Sequence, residues 1–211
     1  MKITKDLVRK TIQEVAPLVE EESKLTTNLE QYRVILKTPE EIASSRNISI
    51  SLAETFTGSY KIDFQNPHIF DRRFIFSKNF NCITKTFKVL VSHEVMHNAQ
   101  LEAFPPFINL RYNLKEALKN NPSNQILKRE NMSLDCLIEG DATLIANSLS
   151  KRYFPICGKY FDKLKSIFDK EEDSVYNKGE RILRDKFKGN RKDINELYTA
   201  PIEELVKIFS C

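Results

Sequence analysis

Apolar positions follow two different periods along this chain, and the change from one to the other falls near residue 80. Leu7, Val8, Ile12, Val15, Leu18 and Val19 recur at helical spacing, so residues 4–22 read as an amphipathic helix. Gln31 to Leu36 and Ile48 to Leu52 then read as short strands, with a helix start between them at Thr38-Pro39-Glu40-Glu41. Tyr60 to Phe64 and Ile69 to Phe76 are strand-like runs split by the turn signal Gln65-Asn66-Pro67. From about Ile83 the period is helical almost to the end. One helix is expected over Thr84–Leu101 and is broken by Pro105-Pro106. Others are expected near 107–119, 133–150, 158–169, 172–187, 191–198 and 202–209. The pattern predicts an α+β chain folded as a single domain, 1–211. A helix and a small antiparallel or mixed sheet occupy residues 1–80, and a helical part occupies 81–211. There is no internal repeat, low-complexity segment or interdomain linker.

Composition changes this picture little. Five glycines and no tryptophan in 211 residues argue against a series of tight hairpins. The net charge of +4 comes from 33 basic and 29 acidic residues, a mixed surface rather than a nucleic-acid footprint. The basic stretch from Arg181 to Lys192 is interrupted by acids including Glu180, Asp185 and Asp193, and reads as a solvated helix face. Cys82, Cys136, Cys157 and Cys211 form no CxxC pair, which argues against a zinc ribbon; Cys82 and Cys136 sit in apolar stretches and read as buried, reduced thiols. The first residues do not resemble a signal peptide, and no run of 18 apolar residues occurs. A cytoplasmic protein without nucleic-acid or membrane partners is the expectation; the oligomeric state is left open.

The chemistry is concentrated in Leu90–Gln100, LVSHEVMHNAQ. His93 and His97 are four apart, so on a helix both imidazoles share one face and can share one metal ion. Glu94 lies one residue round from His93, placed to act as a base on a water activated by that ion without being a ligand. The chain has only three histidines, and the flanks Phe87, Val89, Leu90, Val91, Val95 and Met96 bury this helix. Buried imidazoles and a carboxylate need partners, and a metal is an economical one. A hydrogen-bonded pair of core histidines beside a surface glutamate is the plainer alternative. His68, in the turn after Pro67, reads as a surface residue.

A second segment sharpens the expectation. LDCLIEGDATLIANSL, Leu134–Leu149, is apolar nearly all round and should be buried, yet it carries Glu139 and Asp141 at its centre. Gly140 lies between them inside a helix, a position that makes sense where another helix approaches closely. Glu139 is the natural third ligand. Two histidines, one glutamate and an open position form the ligand set of a catalytic rather than a structural zinc. Asp141 is placed to accept the outer N–H of a ligand histidine, and Thr143, one turn beyond Glu139, to hold that carboxylate; local backbone bonding is the alternative for each.

With these residues the chain resembles the gluzincin metallopeptidases, in which a glutamate on a later helix completes an HExxH site. It is similar in particular to a group that pairs HExxHxxQ with EGDAT. Here those pieces are His93–His97 with Gln100, and Glu139–Thr143. Tyr176-Asn177-Lys178-Gly179, Tyr198-Thr199-Ala200-Pro201 and the upstream Gly58-Ser59-Tyr60 fit the same arrangement, over roughly residues 58–205. Met96, the lack of a second glutamine after Gln100 and the single Pro201 depart from it.

The resemblance implies a zincin-like fold, with a sheet flanking the active-site helix and an edge strand that pairs with extended substrate. It implies zinc on His93, His97 and Glu139, with Glu94 as general base and acid, and a peptide or protein substrate. A tyrosine from the later helices is expected to stabilise the oxyanion, Tyr176 ahead of Tyr198; core packing is the alternative for both. Ile202–Cys211 is amphipathic and reads as a docked terminal helix, or as a latch whose Cys211 reaches the metal. The competing functional readings are a catalytically silent metal-binding protein, a hydrolase of non-peptide amides or esters, and a basic interaction module.

Overall fold

Thr4 opens the first helix: its hydroxyl accepts from the Leu7 amide at 3.2 Å, satisfying one of the free N–H groups of the first turn. The computed structural model describes residues 4–29, 33–37, 53–56, 61–65, 80–155 and 175–209. Within these, α1 is Lys5–Ser23 and ends at Lys24, whose φ of 59° is left-handed. Three strands follow: β1 (Arg33–Lys37), β2 (Ala53–Phe56) and β3 (Lys61–Gln65). They pair in the order β1-β3-β2, β1 parallel to β3 and β2 antiparallel to it. The remaining described elements are helices: α2 (Phe80–Ala103), α3 (Pro105–Asn120), α4 (Gln125–Arg152), α5 (Val175–Phe187), α6 (Arg191–Leu197) and α7 (Ile202–Phe209).

The α+β, zincin-like class expected from the pattern is corrected by this architecture, which is helical. Every described core side chain lies on a helix or in a segment next to one. The physical reason is length. The strands are four or five residues long, whereas α2 and α4 run for 24 and 28 residues and supply many of the buried side chains.

Several boundaries also move. The helix expected at 84–101 runs from Phe80 to Ala103, and the one expected at 133–150 begins at Gln125. Its start is Asn124, whose side chain accepts from the Ile126 and Leu127 amides at 3.0 and 3.1 Å. The polar run Lys128–Asn131 hid that first part from a hydrophobic period. Pro105-Pro106 does separate two helices, but as the first residues of α3, where a missing N–H costs nothing. A strand forms at Ala53–Phe56, one step past the expected Ile48–Leu52. The segments 38–41, 48–52, 69–76 and 158–169 lie outside the described residues, as do Gly58-Ser59-Tyr60, His68, Cys157, Cys211 and the side chain of Cys82.

Two apolar clusters make the core. One joins α1, α2 and the second half of α4 through Val8, Ile12, Val15, Phe87, Val91, Val95, Ile145 and Leu149. The other joins α3, the first half of α4, α5, α6 and α7 through Phe107, Leu134, Leu137, Leu183, Leu205 and Phe209. Helix α4 belongs to both, and Glu139-Gly140-Asp141 falls at the seam between them. The polar residues of that helix therefore sit where apolar packing changes partners, with room for a polar site. Helix α7 is docked by Leu205 and Phe209, both fully buried, which is the plain reading of the terminal segment.

Candidate metal centre

The three expected ligands meet. One turn of α2 separates His93 from His97, whose rings stand nearly perpendicular with centroids 4.7 Å apart. Their Nε2 atoms lie 3.1 Å from each other. Glu139 on α4 brings Oε2 to 3.1 Å from His97 Nε2 and 3.4 Å from His93 Nε2. A tetrahedral ion about 2.05 Å from each donor sets its ligand atoms roughly 3.3 Å apart, so the spacing of these donors fits one small divalent cation. The group of His93, His97 and Glu139 can hold a metal ion.

Close helix packing brings further residues to the site. Gly140 on α4 faces Gly179 on α5 backbone to backbone: a methyl group on Gly140 would strike Gly179, and one on Gly179 would strike the Cys136 carbonyl. The approach inferred from Gly140 is thus present, and its partner is the glycine of the Tyr176–Gly179 segment. It carries Tyr176 to the mouth of the site, where its ring centroid is 5.9 Å from that of His93 and its surface is 42% exposed. The Glu139 charge, with burial and Glu94 adding to it, pushes the Tyr176 phenol well up, so it remains a hydrogen-bond donor. Glu94 is buried in the same neighbourhood, and its charge also acts on His97.

Both ligand groups are held from behind, though not by the residues expected. Gln100, not Asp141, takes the outer nitrogen of His97: Nδ1 is 2.8 Å from Gln100 Oε1. With the proton on Nδ1, Nε2 turns its lone pair to the metal position. Glu139 is steadied by Arg111 of α3, not by Thr143. Arg111 Nη2 donates to Glu139 Oε1 at 2.7 Å, and Arg111 Nε to Asp135 Oδ1 at 2.5 Å. Thr143 is suggested by its spacing from Glu139 on one helix; Arg111 comes from another helix and leaves no trace in the HExxH or EGDAT pattern.

Electrostatics in the metal-free protein follow from this crowding. Burial opposes a charged His97, but the Glu139 carboxylate outweighs it and pushes the imidazole up to about 9. Burial would likewise raise Glu139, yet His97, the hydrogen bonds from both imidazoles and Arg111 hold its carboxyl well below the usual range. A cation at this position would take over the role of the His97 proton.

Tyr198 is not at the mouth. It is buried, stacked on Phe104 at 4.4 Å and edge-on to Phe107 at 5.0 Å. Arg191, read as part of a solvated basic face, is instead ion-paired with the fully buried Asp141. The rest of that stretch behaves as expected, Arg184 meeting Glu180 and Asp185 at 3.1 and 3.2 Å. Cys136 is a buried free thiol, pushed up to about 11 by that burial. Among the described residues no helix is long and apolar enough to cross a membrane. Comparison of the chain with protein-family models, curated proteins and solved structures returns no match.

Proposed function

We propose that this chain is a zinc-dependent hydrolase of the gluzincin type, acting on peptide bonds. The observation that carries the reading is the convergence of two imidazoles and one carboxylate oxygen within 3.4 Å, beside a buried glutamate that is not one of the three. Zinc suits this donor set, and three protein ligands with one open position are the catalytic arrangement. When bound, the ion supplies a Lewis acid that polarises a carbonyl and acidifies water. Arg111 occupies the second oxygen of Glu139, which keeps that ligand on one donor atom and favours the open position.

The chain's own groups account for the rest of the reaction. Glu94 accepts a proton from the attacking water as its oxygen bonds to the scissile carbonyl carbon. Tyr176 Oη donates a hydrogen bond to the oxygen that gains negative charge. Glu94 then delivers its proton to the departing amine as the C–N bond breaks. Gln100 and Arg111 keep the ligands oriented throughout.

The test is elemental analysis of the purified chain, of Glu139→Ala and of Glu94→Ala, followed by assay on a peptide library. The expected result is about one zinc per chain in the native and Glu94→Ala proteins, none in Glu139→Ala, and cleavage by the native protein alone. A native chain that takes up no zinc after reconstitution would sink the reading. A zinc-loaded chain that cleaves amides or esters but no peptide would move it to the non-peptide class.

A further inference from the structure

Behind His97 runs a line of buried hydrogen bonds that ends on a charged pair. His97 Nδ1 meets Gln100 Oε1 at 2.8 Å. Gln100 Nε2 donates to the Ile138 carbonyl at 3.0 Å and to Tyr198 Oη at 2.7 Å. Tyr198 Oη donates to Asp141 Oδ2 at 2.9 Å. Arg191 holds Asp141 with both terminal nitrogens, at 2.5 and 3.2 Å. Gln100 and Asp141 are fully buried and Tyr198 nearly so, so water does not offer substitute partners.

The direction of every bond in this line follows from its far end. Asp141, paired with Arg191, offers only acceptors, so the single Tyr198 proton points to it. The Tyr198 oxygen must then accept, and only the amino side of the Gln100 amide can donate to it. The Ile138 carbonyl, also an acceptor, makes the same demand. The Gln100 oxygen is thereby turned to His97 and accepts from Nδ1. A glutamine by itself has two amide orientations of nearly equal shape, and the wrong one would face His97 with a donor.

We propose that Tyr198, Asp141 and Arg191 are positioning residues that set the Gln100 amide, and through it the tautomer in which His97 presents Nε2 to the metal. The inference rests on the metal-centre reading above. Arg191 also ties this line to the rest of the fold: Arg191 Nε and Asn195 Nδ2 both donate to the Ser23 carbonyl at the end of α1, at 3.4 and 3.2 Å. The short helix α6 and the tyrosine that caps it thus supply both the charge and the hydroxyl that orient a ligand on α2, which gives the segment from Arg191 to Tyr198 a function beyond closing the core.

The test titrates zinc alone against a chromophoric chelator at fixed pH, for the native chain, Tyr198→Phe and Asp141→Asn, with circular dichroism of the metal-free forms. The amide introduced by Asp141→Asn can donate where the carboxylate only accepts, so this variant opposes the direction of the line. Tyr198→Phe merely interrupts the line and leaves the Ile138 contact. Zinc affinity is expected to fall about tenfold in Tyr198→Phe and nearer a hundredfold in Asp141→Asn, with helicity kept. Nitrogen-15 histidine labelling of the zinc-loaded native protein should show a slowly exchanging proton on His97 Nδ1, lost in Asp141→Asn. Native affinity in both variants, or a loss that only follows lost helicity, overturns the proposal. If Asp141→Asn does not fold, Tyr198→Phe decides: tenfold weaker binding supports the proposal and unchanged binding overturns it. A native chain that binds no zinc overturns the metal centre itself, a separate result.

Discussion

Arg111 and Glu139 are joined at 2.7 Å through the carboxylate oxygen that does not face the imidazoles. One oxygen of Glu139 is thereby committed to a guanidinium and the other to the ligand position. The same guanidinium also reaches Asp135, and this two-sided hold needs a planar fork that lysine lacks. Arg111→Lys should therefore weaken zinc binding by about tenfold and Arg111→Met by up to a hundredfold. Chelator competition measures both. Equal affinity in all three proteins would show that Glu139 needs no such support.

The contact of Gly140 with Gly179 sets the distance between α4 and α5. Added methyl groups here meet backbone, which cannot swing aside as a side chain can. Gly179→Ala should lower the stability of the metal-free protein by about 3 kcal/mol, at the upper end of overpacking costs. Gly189→Ala is the control: nothing lies within 4 Å, and only its φ of 70° is strained, a cost of about 1 kcal/mol. Urea midpoints of the two variants should differ in that order.

The candidate site was legible because the residues that can hold a metal ion follow helix geometry. The i, i+4 spacing of His93 and His97, and two carboxylates on an apolar helix, are local signals that survive whatever the rest of the chain does. Gly140 pointed rightly to a close helix, and Gly179 was visible only as part of a short motif. What could not be read were the bonds between elements. Gln100 bonds onward to Ile138 and Tyr198, Arg111 stands in no motif, and Arg191 reads as one more solvated cation. Nothing in the sequence near Arg191 indicates that Asp141, fifty residues away, lies opposite it. The fold class is hard to read for a related reason: period-2 runs announce strands, but not how small a share of the described fold they form.

Without a bound metal, stability should depend on pH. In the metal-free protein His97 is pushed up to about 9 from an ordinary value of 6.5, so the folded state holds its proton more tightly than the unfolded chain. The stabilisation this brings is complete below about 6.5 and is lost as pH rises through about 9. Urea midpoints of the metal-free native chain should therefore fall across that window, and those of His97→Gln should not. A flat native profile would mean that Glu139 and His97 do not interact as the 3.1 Å contact indicates.

Tyr176 separates chemistry from metal binding. Its ring lies at the mouth, near His93, and its hydroxyl is kept protonated by Glu139, burial and Glu94. It takes no part in the bonds that orient His97 or Glu139. If it donates to the developing oxyanion, Tyr176→Phe should leave zinc content and KM close to native and lower kcat by about a hundredfold, the scale of losing one such donor. A variant in which KM rises and kcat holds would instead make Tyr176 a surface on which substrate rests. Unchanged turnover on a cleaved peptide would remove it from the reaction and leave Glu94 as the one side chain handling charge.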